Sequence, residues 1–126
     1  MVRKVTARYL YLDGVSSHDL RIVLLGSGGE LVKKKIAKQG TRSERLLKAL
    51  APFFERERVT GLIVAQGGGS FTQTRLVCAV ANALAYAHGI KLAAVQKELE
   101  PESVLKQLKP RAWQSMILPS YRAPGV

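Results

Sequence analysis

Residues 59–89, VTGLIVAQGGGSFTQTRLVCAVANALAYAHG, decide how this chain folds. Leu62-Ile63-Val64-Ala65 is a short apolar run rich in β-formers and reads as a buried strand. Gly67, Gly68, Gly69 and Ser70 follow, then an alanine-rich apolar stretch long enough for more than about four helical turns, closed by Gly89. Ser70 and Gln73 have the spacing of a capping box, in which two side chains satisfy backbone donors of the first turn. The segment is a strand, a glycine turn and a helix.

Such a turn serves either chemistry or construction. Backbone N–H groups at a helix N-terminus can cradle an anion, but glycine is also what a tight strand-to-helix turn requires. A Walker A loop needs Lys-Ser/Thr after its last glycine, and Ser70-Phe71-Thr72 stands there instead. A nucleophile elbow needs glycine two residues after its serine, where this chain has Thr72. Ser70 is therefore read as a cap before it is read as a nucleophile.

Working outward, residues 91–96 (KLAAVQ) read as another buried strand, so strand, helix and strand make a right-handed crossover between parallel strands. Upstream, RYLYLD at 8–13 alternates Leu10 and Leu12 against Tyr9 and Tyr11. Residues 20–25 and 31–37 are two further strands, and the short turns between the three predict an antiparallel meander. Lys33, Lys34 and Lys35 lie in the third, where charge suits an edge strand; the same ammonium groups would also suit RNA phosphates. Thr41 and Glu44 form a second capping-box pair, and Leu46, Leu47, Leu50, Phe53 and Phe54 then follow one helical stripe. Pro52 falls inside that helix, and the run 55–58 (ERER) ends it as a solvated face.

Residues 67–76, GGGSFTQTRL, resemble the G-P-G-S-F-T-G-L-R-I signature of the TsaB (YeaZ) family, which likewise joins a strand to a helix. Gly67, Gly69, Ser70, Phe71, Thr72 and Arg75 match. Gly68 replaces proline, Gln73 glycine and Thr74 leucine, and Val77 stands where the family usually has another glycine. Residues 43–47 (SERLL) resemble the H-S-E-x-L-L opening of the family's first helix, with Arg42 in place of histidine. The resemblance implies an α/β fold: one half of the actin-like ATPase (ribonuclease H-like) architecture, a mixed five-stranded sheet with two main helices. Family members are non-catalytic subunits of the bacterial complex that installs threonylcarbamoyl-adenosine in tRNA. The helix after their signature packs on TsaD, the catalytic subunit, or on a second TsaB. In ATP-using relatives an acidic residue in the first turn helps organise metal and phosphates, and Asp13 holds that place here, although Asp-Gly is also plain turn chemistry.

The resemblance covers residues 9–95 in order and spacing, giving a half-domain at 8–96 and a short extension at 97–126 within one domain, 1–126. A shortened TsaB is the expectation. In the extension, 98–109 (ELEPESVLKQLK) predicts a short helix opened by Pro101, Trp113 a tail anchor, and Met116-Ile117-Leu118 a last strand. The ending 119–124 (PSYRAP) resembles the family's P-x-Y-L-R.

With 126 residues the chain has room for one core. Its 20 Lys and Arg against nine Asp and Glu give a net charge of +11, a field that attracts nucleic acid or an acidic partner. A lone Cys78 excludes an internal disulfide and points to a reducing cytoplasm, with the thiol packed as a small hydrophobe. No run approaches a membrane span. His18 and His88 are isolated, so no metal site and no cofactor is expected.

Three readings of function follow. The first is a scaffold that docks a TsaD-like subunit, or dimerises alone, through its helices. Its interface would comprise Leu46, Leu50, Phe53, Phe54, Leu76, Val80, Ala83, Leu84 and Ala87, with alanines keeping the second helix slim and Arg75 anchoring the interface or bracing the turn. The second is a stand-alone basic RNA-binding module contacting tRNA through its surface, although RNP-like aromatics, a GXXG clamp and a zinc knuckle are missing. The third, a small enzyme on the glycine turn, lacks a catalytic template.

Overall fold

Alternation along β1 (Arg8–Asp13) sends Leu10 and Leu12 to one face of a sheet and Tyr9 and Tyr11 to the other, and both faces are covered. The structure, a computed structural model, describes residues 7–13, 19–37, 43–66, 71–96 and 100–119. The other elements are β2 (Leu20–Leu25), β3 (Leu31–Ala37), α1 (Ser43–Arg56), β4 (Val59–Ala65), α2 (Phe71–His88), β5 (Lys91–Val95), α3 (Pro101–Gln107) and a 3-10 turn at Pro110–Ala112.

The sheet order is β3-β2-β1-β4-β5. β1, β2 and β3 form the antiparallel meander, with Tyr11 opposite Val23 and Ile22 opposite Lys35. β4 pairs parallel with β1 on one side and β5 on the other. The mixed five-stranded sheet is thus as expected, and the lysine-rich strand is indeed an edge. β5 was expected to be buried. It lies at the opposite edge instead, with Lys91 exposed and Ala94 and Val95 half-buried.

The helix-side core gathers Leu10, Leu12, Ile22, Leu24, Leu62, Val64 and Leu92 from the sheet beneath Leu46, Leu50, Phe53, Val77, Val80, Ala81 and Ala85. Burying each Val, Leu, Ile or Phe side chain of this core stabilises by roughly 1.5–3 kcal/mol. Helix α2 ends in a Schellman motif. Gly89 takes φ +65°, its N–H reaches the Tyr86 carbonyl (3.3 Å) and the Ile90 N–H that of Ala85 (3.0 Å). Helix α1 runs through Pro52 without breaking.

The opposite face carries Tyr11, Val23, Leu25, Ile63 and Ala65, covered by Val104, Leu105, Leu108 and Trp113 of the extension. Trp113 fulfils its expected anchoring role. Its ring lies 5.6 Å from that of Tyr9, over Gly61, where a Cβ would come within 2.7 Å of the indole. The extension then crosses the free side of β5. Leu92 and Gln114 exchange two backbone hydrogen bonds of 2.8 and 2.7 Å, and Ile117 enters the helix-side core. The strand expected at Met116-Ile117-Leu118 is not formed; a single bridge at Gln114 stands in its place. Asn82 of α2 provides what a ladder would have, accepting from the Ile117 N–H at 2.9 Å and donating to its carbonyl at 2.8 Å.

Candidate functional site

The strand ends where chemistry would sit are braced by local pairs. Asp13 closes β1 directly opposite Ala65, the last residue of β4, and is 1% exposed. Its cross-strand partner on β2 is Arg21, whose Nε (3.1 Å) and Nη2 both donate to Asp13 Oδ2. A carboxylate removed from water needs a counter-charge and hydrogen bonds, and Arg supplies both from one planar group. The residue that the resemblance connects with metal and phosphate is thus engaged by a guanidinium.

Next along β4 comes Gln66, which was not singled out from the sequence. It is 2% exposed, and its N–H donates to the Val95 carbonyl at 2.7 Å. Its side-chain Nε2 donates to Cys78 Sγ and to the Leu118 carbonyl, each at 3.1 Å. Gln66 Oε1 is buried and meets no hydrogen-bond partner among the described residues. One side chain therefore ties the end of β4 to α2 and to the extension. The only sequence signal for it was a polar residue interposed between an apolar run and the glycines. Cys78 is buried as expected; desolvation pushes its thiol pKa up, and the Gln66 hydrogen bond works against that shift. Its packing makes it a structural thiol and not a reactive one.

Of the motif, Gly67, Gly68, Gly69 and Ser70 lie outside the described residues, as do Thr41 and His18. Phe71 and Thr72 open α2, and Arg75 is exposed. His88, in the last turn of α2, stacks on Phe54, with ring centroids 4.4 Å apart and planes inclined by 17°.

The helical layer requires a correction. Leu46, Leu50, Phe53 and Val80, expected on a docking face, belong to the chain's own core, because they project onto Leu10, Leu12, Ile22 and Leu24 of the sheet. Phe54, Leu76 and Leu84 are half-buried against that core. Ala83 and Ala87 are exposed. The uncovered surface of α2 is the adjacent line Arg75, Ala79, Ala83 and Ala87 with Tyr86, which at 3.6 residues per turn spans an arc of roughly 120°. Tyr86 is 90% exposed. This face is slim in side-chain bulk along its alanines, with the Arg75 guanidinium at one end and the Tyr86 phenol near the other.

Among the described residues no group of three or more His, Cys, Asp or Glu could hold a metal ion, and no helix is long and apolar enough to cross a membrane. No protein-family model matches the sequence, and no curated protein matches it. Solved structures do match. YeaZ from Pseudomonas aeruginosa superposes with a TM-score of 0.53 at 21% identity, over 74% of this chain and 44% of that one. A second structure, described as an uncharacterized protein with similarity to peptidase YEAZ from Pseudomonas aeruginosa, gives the same values. The chain therefore spans less than half the length of the structures that it matches. The match shows that this chain has an α/β fold, with its mixed five-stranded sheet, like that of the part of YeaZ on which it superposes.

Proposed function

We propose that this protein is a non-catalytic docking subunit that binds a TsaD-like catalytic subunit in tRNA threonylcarbamoyladenosine modification. The observation that carries the reading is the outer face of α2, where Ala79, Ala83 and Ala87 line up beside a 90% exposed Tyr86. Small residues let a second helix come close, and an exposed tyrosine offers an amphipathic anchor of the kind that dominates interface energetics. Half-buried Leu76 and Leu84 rim the face, so an approaching helix would meet apolar surface on one flank. The occupant is a helix from a protein of the same fold, because the family resemblance pairs the helix after the signature with its equivalent on TsaD. The engagement of Asp13 by Arg21 supports a role without catalysis, since the carboxylate is committed to holding β1 against β2.

Co-purification with TsaD from the same source tests this. A stoichiometric complex is expected, and Ala83→Glu should dissolve it by placing a charge in a dry helix–helix seam. A complex that Ala83→Glu and Tyr86→Ala both leave intact overturns the assigned face. Failure to form any complex overturns the function.

A further inference from the structure

On the opposite flank of the helical layer, β3 and α1 enclose a shallow cleft lined by Lys33, Lys35, Pro52, Phe53 and Arg56. Lys33 and Lys35 pair with Leu24 and Ile22, which face the helix-side core, so both lysines project toward the helices. Such positions on a covered sheet are ordinarily apolar. Here both lysines are nevertheless exposed. Lys33 Nζ lies 5.9 Å from the Phe53 ring centroid, a cation–π approach that holds the ammonium over the cleft floor. Arg56 in the last turn of α1 supplies a third cation from the other wall, and none of the lining residues is acidic.

We propose that this cleft binds the phosphodiester backbone of a nucleic acid, with Lys33, Lys35 and Arg56 each neutralising a phosphate. Residues two apart on a strand are separated by roughly 7 Å, comparable with the spacing of neighbouring phosphates along an extended strand. The floor of Pro52 and Phe53 offers no donor or acceptor for a base edge, so recognition is of the backbone and not of sequence. A polyanion is favoured over an acidic protein surface because Lys33 and Lys35 lie in file along an edge strand at a spacing that successive phosphates can match, with Arg56 facing them from α1. The net charge of +11 steers such a polymer toward the chain. This assignment uses a different face from α2 and stands or falls separately from the docking function.

The test uses the full chain and a fluorescein-labelled single-stranded RNA of mixed sequence, followed by anisotropy across a salt series. Wild type is compared with K33A/K35A/R56A and with K106A/K109A/R111A, which removes the same charge from exposed positions on the extension. For three phosphate contacts the cleft variant should lose about two units of salt slope, so its binding falls about 15-fold less than that of wild type between roughly 50 and 200 mM salt. The extension variant should keep the wild-type slope, and K33R/K35R should bind as wild type does. DNA of the same sequence separates the two polymers, and binding of either upholds the site. Equal losses in the two alanine variants, displacement by polyglutamate at equal charge, or no salt-dependent binding each overturn it. Circular dichroism verifies that every variant is folded.

Discussion

Replacing Asn82 with alanine tests whether the extension is held to α2 by a two-point clamp. The side chain makes bonds of 2.8 and 2.9 Å to the carbonyl and N–H of Ile117, whose own side chain is 3% exposed in the helix-side core. A partly buried hydrogen bond contributes about 1 kcal/mol net, so losing two should destabilise by about 2 kcal/mol. Detaching the segment instead forfeits the burial of Ile117, also worth roughly 2 kcal/mol. The two routes cost about the same, so Asn82→Ala should lower the melting temperature by roughly 8 °C. It should also speed amide exchange at Ile117, Gln114 and Leu92 ahead of the central strands. Asn82→Asp keeps the acceptor and loses the donor, and should fall between wild type and alanine. The appropriate assays are urea denaturation followed by circular dichroism and native-state hydrogen exchange. A stability loss below about 0.5 kcal/mol with unchanged exchange at Ile117 would refute the clamp.

Other perturbations read other parts of the structure. Arg21→Met strips the guanidinium from a carboxylate that is 1% exposed and should cost about 3 kcal/mol in urea denaturation, with part regained in Asp13→Asn/Arg21→Met. Gly61→Ala pushes a methyl to 2.7 Å from Trp113 and 2.9 Å from Tyr9, for an expected loss of about 1–3 kcal/mol and altered indole fluorescence; removing Trp113 as well should give a less than additive loss. Native Cys78 should resist a thiol reagent that modifies it at once in urea. Because burial raises its folded pKa above the unfolded value, its contribution to stability is full below the unfolded pKa and is lost as pH rises through the folded one. Cys78→Ser should flatten that alkaline decline.

Strands and their order of appearance were legible because apolar runs such as Leu62–Ala65 have few alternatives. The lysines of β3 marked an edge for a physical reason, the cost of burying ammonium groups. The faces of the helices were not legible in the same way. In α2 alanine recurs on every side, so periodicity does not separate Val80, which is buried, from Ala83, which is not. In α1 the apolar stripe was clear, but it was assigned to a partner when the sheet below had first claim on it. The Gln66 and Asn82 contacts join residues up to 52 positions apart, and nothing local announces them.

The passage of the extension over β5 gives the sheet two unlike rims. One is sealed by the pair Leu92 and Gln114, while the other carries three consecutive lysines and, among the described residues, no covering strand. Cross-β growth needs a bare, uncharged rim, and neither side offers one while the seal holds. Peeling the final segment away uncovers β5, whose Leu92, Ala93, Ala94 and Val95 carry no charge. Precipitation on heating should therefore begin with that release, well before the central strands separate, and a covalent staple between α2 and the segment at Ile117 should postpone it.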